Sequence, residues 1–310
     1  MAGSRYAYVK GFELADPLLP STFFVIRIDG KGFHGFSKLH DFDKPNDVRA
    51  LTLMNEAAKR VVGGRELNGE CVVAFGESDE YSFVFKRTCK LHGRRSSKLV
   101  TLVVSVFTAA YIALWPQYFP NSPLSLDHLP VFDGRVVQYT SEQEIQDYLR
   151  WRQVDTHINN LYNTTFWALV LQGGRTEQQA EQELSGTISS QKQELLFSQY
   201  GINYNMLDPM FRKGSIVIWE EEPVKAGHSA ESPGAALPQA HPSADAPTAS
   251  VESSAAASAQ PPAGDAPPTS VKMRQRKKPL KPKRRLVVVH EDLISDAWWS
   301  EGRGKGLLDG

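Results

Sequence analysis

The sequence predicts an α+β fold in two layers, with a ferredoxin-like β-α-β-β-α-β core followed by a mostly helical C-terminal part. Two observations predict it. Over residues 23–139, four short apolar runs of strand character are separated by a hairpin turn and by two stretches of helical periodicity, in the order of the split βαβ arrangement. Over residues 141–222, most of the chain has helical character. With 310 residues, 41% of them apolar, the chain can bury a substantial core.

The first half of the core contains three strands and one helix. The first strand is FFVIRID, residues 23–29, and GKGFHGF after it is expected to form a Gly-rich turn. Asn46 is expected to cap the first helix. The runs CVVAF (71–75) and YSFVF (81–85) flank the turn GESDE and predict a β-hairpin.

A second helix and a fourth strand complete the core. The helix is predicted from about residue 97 to 115 and should stop before Pro116, because proline disfavours a helix interior. The fourth strand is FDGRVVQY (132–139). In the split βαβ topology, strands one and three pair at the centre of the sheet. The end of the first strand then lies beside the hairpin, which brings Asp29 close to Asp79.

The chain after residue 140 changes character several times. Ser141 and Glu144 match a capping box at the start of a helical region, and GSIVIWEEE is typical of a closing strand. From about residue 227 to 270, Ala, Pro, Ser and Gly predominate, which predicts disorder. The basic run KMRQRKKPLKPKRR follows, and the tail LVVVHEDLISDAWW has enough apolar residues to dock on the folded body. We predict a core domain over 1–140, a helical part over 141–224, a linker with the basic run over 225–285, and a partly docking tail over 286–310.

The composition limits the cellular compartments and the binding partners that we expect for this chain. Two cysteines, Cys71 and Cys89, give no disulfide framework and favour a reducing compartment. The first twenty residues lack the apolar run of a secretory signal, so we expect a cytoplasmic or nuclear protein that is not secreted. Residues 99–115 are too short and too polar for a membrane span and predict a buried helix, with no membrane partner. The formal net charge is zero, but local basic runs still permit phosphate binding.

Asp29 and Asp79 are the candidate metal ligands. Asp29 ends an apolar strand and precedes Gly30, Lys31 and Gly32, where a carboxylate can hold a divalent cation and the backbone can approach phosphate. Taken alone, such a motif is more often a plain turn. Two carboxylates at adjacent strand ends can bind two Mg²⁺ ions for an in-line phosphoryl displacement. Neither a zinc-like Cys/His spacing nor a GxxxxGK[ST] loop is present, which argues against a zinc site and a P-loop NTPase.

Several charged residues near these turns have two readings. His34 could contact a nucleotide or only help to close its turn. Lys44 precedes a helix start, where a lysine is more often solvated. The cations Arg94, Arg95 and Lys98 begin the second helix, which suits a phosphate, or they form an exposed basic turn.

The helical part contains a polar motif that also has two readings. HINNLYN (157–163) places amides and a ring in a helix rich in large apolar residues. It could form a hydrogen-bond network between helices, because buried amides need partners, or a surface for RNA. Arg150 and Arg152 flank Trp151, a combination that can hold phosphate and stack on bases.

Seven stretches together resemble the eukaryotic form of the tRNA-His guanylyltransferase family: RIDGKGFHGFS, KPNDVRALTLMN, FGESDEYSFVFKR, RRSSK, FDGRVV, YLRWRQVDTHINNLYNTTFWAL and FSQYGINYNMLDPMFRKGS. The resemblance covers about residues 4–220 and returns weakly at HEDLISDAWW. It implies that residues 1–140 are a catalytic palm domain, similar to the palm of DNA polymerases and class III nucleotide cyclases. The implied reaction has three steps: ATP activates the 5′-monophosphate of histidine tRNA, the 3′-hydroxyl of GTP attacks, and pyrophosphate is removed. Members of this family assemble as tetramers.

The resemblance also implies roles for individual residues. Two Mg²⁺ ions are expected on Asp29, Asp79 and the carbonyl of Gly30. The nucleotide-binding turns match Asp29, Gly30, Lys31, Gly32, Phe33, His34, Ser78 and Asp79. A second triphosphate is expected near Lys44, Arg95 and Lys98, with Lys44 taking part in catalysis. Contacts with RNA are expected from Arg135, His157, Asn160 and Lys192.

Three other functions fit parts of the sequence. The first is a template-dependent polymerase that repairs tRNA 5′ ends in the 3′–5′ direction, on the same palm. The second is a catalytically inactive RNA-binding protein, against which the intact Asp29 and Asp79 argue. The third is a nucleotide cyclase, which would leave the RNA-facing C-terminal half unexplained.

Overall fold

The structure is a computed structural model that describes residues 4–222 and 284–309. The parts of the chain that end at Glu221 and resume at Arg284 form one compact unit. The strands are β1 (Phe23–Gly30), β2 (Cys71–Glu77), β3 (Glu80–Phe85), β4 (Phe132–Tyr139), β5 (Ser215–Glu221) and β6 (Arg284–Val289). The α-helices are α1 (Phe33–Leu39), α2 (Val48–Val62), α3 (Ser96–Tyr118), α4 (Glu142–Leu171), α5 (Glu177–Leu184), α6 (Ser189–Tyr200), α7 (Pro209–Lys213) and α8 (Asp296–Ser300). Short 3₁₀ turns cover Ala7–Phe12, Leu91–Arg94, Leu126–His128 and Tyr204–Met206.

The six strands of the described residues form one antiparallel sheet in the order β4-β1-β3-β2-β5-β6. The β-α-β-β-α-β core is confirmed, and β1 pairs with β3 as predicted, so that Asp29 lies opposite Glu80. The predicted closing strand is β5. The tail extends the sheet through β6, which pairs with β5.

The sheet is covered on both faces, because successive side chains of a strand point to opposite sides. On one face, even-numbered residues of β1 such as Ile26 join α2 and α3 in the main core. On the other face, odd-numbered residues such as Val25 pack with Leu149 of α4 and with Trp298 and Trp299 of the tail. The tail therefore helps to cover the second face of the sheet.

Two local predictions around the first helix were wrong. The predicted Gly-rich turn contains a helix, α1, which starts after Gly32 in the left-handed conformation (φ 71°). The cap of α2 is Asp47, whose carboxylate accepts hydrogen bonds from the backbone N–H groups of Arg49 and Ala50. Both Asn46 and Asp47 are good capping residues; Asn46 instead accepts a hydrogen bond from Asn160 at 2.7 Å.

The prediction that α3 stops before Pro116 was also wrong, since α3 ends at Tyr118. Pro116 lies in the last turn of the helix, where one lost hydrogen bond does not break the preceding turns. By length and composition alone, α3 could cross a membrane. One side of it is buried in the main core through Val103, Phe107 and Trp115. The prediction that this stretch is too short and too polar to span a membrane was therefore wrong for the helix of 23 residues, and α3 is a core helix buried on one side rather than a wholly buried one.

The second half of the chain is helical up to β5. The capping box at Ser141 and Glu144 is confirmed and opens α4, which is 30 residues long. The predicted boundary at residue 140 falls between β4 and α4. The predicted linker ended two residues too late, because Arg284 and Arg285 belong to β6. The rest of that linker, including the segment predicted to be disordered, lies outside the described residues.

Candidate active site

Asp29 and Asp79 come together at one end of the central strands. Asp29 is the penultimate residue of β1, and Asp79 lies in the turn between β2 and β3. The backbone N–H of Gly30 donates to the carbonyl of Asp79 at 3.0 Å, which ties the end of β1 to the hairpin tip. Burial raises the pKa of the Asp79 carboxyl above its usual value, and the nearby Asp29 carboxylate adds to the rise. A cation between the two would relieve both effects.

The turn after β1 is fixed by its backbone and by one aromatic ring. The N–H of Lys31 donates to the carbonyl of Val131 at 2.8 Å. Phe33 is buried against Phe132, and its ring lies where a side chain at Gly30 would have to be. Lys31 and His34 are exposed. The turn therefore presents these two side chains and its backbone beside the carboxylates.

A buried cluster of charges, which the sequence did not reveal, supports the hairpin. Arg152 of α4 is 5% exposed. Its guanidinium donates hydrogen bonds to Glu77 (2.6 Å) and Asp155 (2.9 Å), and its Nε lies 2.8 Å from Glu80. Arg27 lies 3.5 Å from the same Glu80. Glu77 and Glu80 directly flank Ser78 and Asp79, so the cluster holds both ends of the turn that carries Asp79.

Two acids of this cluster, Glu77 and Glu80, have raised pKa values despite the two arginines. Burial raises the pKa of Glu80 to about 7, because the removal of water outweighs the attraction of Arg152 and Arg27. Burial also raises the pKa of Glu77. Arg152 is therefore committed to internal acids. The expectation that it holds RNA phosphate was wrong for this residue, whereas Trp151 beside it is 50% exposed.

Three cations were expected near a second triphosphate. The Nζ of Lys44 lies 3.3 Å from the Oγ of Ser37 and 5.6 Å from the centre of the Trp167 ring. Arg95 is paired with Glu13 at 2.5 Å, and Lys98 is exposed in the first turn of α3.

Arg94, by contrast, is not part of a phosphate site. It is 7% exposed and donates hydrogen bonds to the carbonyls of Cys89 and Thr22, each at 3.0 Å. Arg94 therefore stabilises the segment that leads into α3. Of the three cations that the sequence placed at the start of this helix, only Arg95 and Lys98 remain candidates for binding a phosphate.

The residues expected to meet RNA differ in their surroundings. The Asn160 side chain is buried, donates to Asn46 and accepts from the hydroxyl of Tyr204 at 3.2 Å. This is a hydrogen-bond network as in the alternative reading, but its partners lie in the segment before α2 and in a 3₁₀ turn rather than in a second α-helix. The His157 ring packs on the Tyr204 ring, with 5.4 Å between centroids. Lys192 donates to the carbonyl of Thr187 at 2.7 Å.

Arg135, the fourth of these residues, lies on the edge strand β4. Its side chain is 54% exposed, 3.6 Å from Asp133. Contacts of Arg135, His157 and Lys192 with RNA stay predictions.

Comparison with known proteins agrees with these features. A family model described as tRNAHis guanylyltransferase matches residues 6–140, and one described as Thg1 C terminal domain matches residues 143–295. The tRNA(His) guanylyltransferase of Eremothecium gossypii is 57% identical over 217 residues, which are 70% of this chain and 91% of that protein. The chain belongs to the tRNA-His guanylyltransferase family.

Two further members of the tRNA-His guanylyltransferase family extend the comparison. The Neurospora crassa protein is 46% identical over 310 residues, which are 100% of this chain and 97% of its own. The crystal structure of the Saccharomyces cerevisiae enzyme is 54% identical with a TM-score of 0.66, and the match covers 68% of this chain and 92% of that one. The palm-like fold and the family resemblance read from the sequence are thereby confirmed.

Within this guanylyltransferase family member, the predicted carboxylate pair and the turn after β1 are brought together. Sequence reasoning missed Glu77, Glu80 and Arg152. The only sequence signal for the two glutamates is their position on either side of Ser78-Asp79, at the inner ends of two strands. Nothing local links them to Arg152, which is 75 positions from Glu77 (152 − 77 = 75).

Proposed function

We propose that this chain adds a guanosine to the 5′ end of histidine tRNA. ATP first activates the 5′-monophosphate, and the 3′-hydroxyl of GTP then attacks in the 3′–5′ direction. The observation that carries the proposal is the convergence of Asp29 and Asp79 at the ends of paired central strands, in a chain of this family. These two carboxylates are the acids expected to do the chemistry.

The residues at this site fit magnesium ions. Mg²⁺ prefers oxygen ligands and usually keeps only one or two protein carboxylates, with substrate phosphates and water completing its shell. Among the residues that the structure describes, no three His, Cys, Asp or Glu side chains form a metal cluster. Asp29, Asp79 and the Gly30 carbonyl would therefore hold the ions together with the nucleotide. When bound, two such ions stabilise charge on the attacking and leaving oxygens of an in-line displacement.

The chain's own residues would position and neutralise the substrates. After β1, the backbone N–H groups of Gly30 and Lys31 already donate within the protein, which leaves that of Gly32 to donate a hydrogen bond to a triphosphate oxygen. Lys44, Arg95 and Lys98 would offset the charge of the second triphosphate. Arg152 would act indirectly, because it holds the hairpin that carries Asp79 and does not itself contact the substrates.

The test is guanosine addition from labelled GTP to a histidine tRNA transcript, with and without ATP and with Mg²⁺ or EDTA. We expect wild-type addition that requires ATP on monophosphorylated tRNA, and no addition by Asp29→Ala or Asp79→Ala variants whose thermal unfolding is unchanged. Near-normal turnover by either variant would sink the assignment. Extension of truncated tRNAs other than histidine tRNA would favour the 5′-end repair polymerase instead.

We also propose that the protein is a homotetramer that works in the cytoplasm or the nucleus. Trp151, Val154 and Ile158 are 39–50% exposed and recur on one side of α4, where a second copy could cover them. Light scattering after size-exclusion chromatography tests the tetramer. Imaging of the full chain fused to a fluorescent protein tests the compartment.

A further inference from the structure

One tyrosine of α3, Tyr111, is fully buried, yet its hydroxyl makes no hydrogen bond with any residue that the structure describes. Burying a hydroxyl without a partner is unfavourable, and most buried polar groups in native proteins have one. A phenylalanine would fill the same space in this aromatic core without that cost. The hydroxyl of Tyr111 therefore needs a physical explanation.

The Tyr111 ring packs beneath the turn that joins β1 to the active-site hairpin. It meets the rings of Phe33 and Phe132 edge-on, with 6.1 and 5.4 Å between centroids. Phe132 is the cross-strand neighbour of Gly30, and the Phe33 ring lies where a side chain at Gly30 would have to be. The backbone N–H of Gly30 in turn donates to the carbonyl of Asp79 at 3.0 Å. Tyr111 thus supports the backbone to which Asp79 is bonded.

Two carboxylates lie near the Tyr111 hydroxyl. Burial raises the pKa of this hydroxyl, and the negative charges of Asp79 and then of Asp47 raise it further. Charges act in this way over short distances, because solvent and salt screen those that are far apart. Asp79 and Asp47 are therefore the candidate acceptors for the hydroxyl.

Of these two carboxylates, Asp47 is already engaged. It accepts hydrogen bonds from the backbone N–H groups of Asp43 at 3.0 Å and Arg49 at 2.8 Å, and the Arg49 guanidinium lies 2.6 Å from it. In the described part of the chain, Asp79 has the like charge of Asp29 beside it and no paired cation. A hydroxyl hydrogen can rotate towards the acceptor that gains most from it. That acceptor is Asp79.

We propose that Tyr111 is a positioning residue of the metal site. Its hydroxyl directs its hydrogen at the Asp79 carboxylate and stabilises the negative charge in the orientation that binds Mg²⁺. The surroundings are aromatic and dry, so the hydroxyl dipole acts with little screening. Groups behind a metal ligand commonly tune metal affinity in this way. The inference rests on the proposed function, which places Mg²⁺ on Asp79.

The test measures metal binding directly, with Mn²⁺ as a paramagnetic substitute for Mg²⁺ and without nucleotide or tRNA. Electron paramagnetic resonance reports the free Mn²⁺ during a titration of the full chain. Tyr111→Phe removes the hydroxyl and keeps the ring, so the dissociation constant for Mn²⁺ should rise roughly 3- to 10-fold, as for the loss of one hydrogen bond. The Mg²⁺ concentration for half-maximal guanosine addition should rise in parallel, while the KM for tRNA stays within two-fold of wild type.

Tyr81→Phe is the matched control. Tyr81 is 1% exposed and lies in the same core, but its hydroxyl donates to the Asn55 side chain at 2.8 Å. Tyr81→Phe should therefore lower the thermal midpoint and leave the Mn²⁺ affinity unchanged. Tyr111→Phe should leave the midpoint unchanged or raise it, since no described residue is a partner of its hydroxyl. A Mn²⁺ affinity of Tyr111→Phe within two-fold of wild type, or equal losses in the two variants, would overturn the inference.

Asp79→Ala distinguishes a failure of this inference from a failure of the proposed function. If Asp79→Ala binds Mn²⁺ as wild type does, the metal is not on Asp79, and the proposed metal site and the role of Tyr111 are both wrong. If Asp79→Ala loses Mn²⁺ binding while Tyr111→Phe keeps it, only the role of Tyr111 is wrong. The double variant should bind no more weakly than Asp79→Ala alone, because both changes act on one carboxylate.

Discussion

Arg152 offers the sharpest test of how the active-site hairpin is held. Replacing it by alanine leaves Glu77 and Glu80 buried, with Arg27 as the remaining cation, 3.5 Å from Glu80. Removing one partner from a buried ion pair typically costs about 3–5 kcal/mol of unfolding free energy. At about 2–4 °C per kcal/mol for a domain of this size, the thermal midpoint should fall by roughly 6–20 °C.

The size of this loss should depend on pH. Without Arg152 the pKa values of the two glutamates should rise further. The folded variant then gains stability as the pH falls, because its glutamates take up protons more readily than those of the unfolded chain. We therefore expect a larger loss at pH 7.5 than at pH 5.5. Urea unfolding at both pH values, followed by intrinsic fluorescence, gives the free energies.

Arg150→Ala is the matched control on the same helix. Arg150 pairs with Asp296, whose side chain is 93% exposed, and such surface pairs contribute about 0–1 kcal/mol. An Arg152→Ala loss within about 1 kcal/mol of the Arg150→Ala loss at pH 7.5 would refute the reasoning, and the cluster would then not hold the hairpin.

Four further changes have expected outcomes. Lys44→Ala should slow single-turnover addition to monophosphorylated tRNA roughly ten- to a hundred-fold, because a charge-assisted contact is worth about 1.5–3 kcal/mol; equal loss on 5′-triphosphorylated tRNA would remove its activation role. Replacing residues 223–283 by a short turn should leave addition and the thermal midpoint intact, and an inactive or unfolded product would make the insert structural. Removing residues 284–310 should destabilise or aggregate the protein, because Trp298 and Trp299 no longer cover the sheet; a fully stable truncation in a urea titration would contradict this. In EDTA, unfolding free energy should fall by up to about 3 kcal/mol as pH rises from 4.5 to 7, since Glu80 holds its proton longer when folded, and Glu80→Gln should flatten that slope.

Much of the core could be read from the sequence because its signals are local. The apolar runs of β1, β2 and β3 are continuous, and the turn at Ser78-Asp79 lies between two of them. Topology then placed Asp29 beside that turn without any knowledge of distances. The capping box at Ser141 is equally local, since both of its bonds span three residues.

The features that the sequence did not predict depend on contacts between residues that are far apart in the chain. Asn46 and Asp47 are equally good capping residues by type. The structure distinguishes them because the Asn46 side chain accepts a hydrogen bond from Asn160, 114 positions away. Arg94 and Arg95 are adjacent cations, yet one is buried on backbone carbonyls and the other faces Glu13. Residue type alone does not distinguish these fates. The α1 helix was missed because glycines at a strand end predict a turn more strongly than a short helix.

The pairing of Glu221 with Arg284 has a consequence for how this family member can vary. Because the two residues are cross-strand neighbours, the 62 residues between them (284 − 221 − 1 = 62) leave and re-enter the sheet at a single point. Closing a connection of that length costs only about 2 kcal/mol more than closing a four-residue turn, even if it made no contacts of its own. Glu221 and Arg284 are on β5 and β6, at one side of the sheet. Strand β2 separates these two strands from β3 and from β1, which carries Asp29. Whole modules can therefore be gained, exchanged or engineered at this point of the sheet while β1 and β3 keep their register.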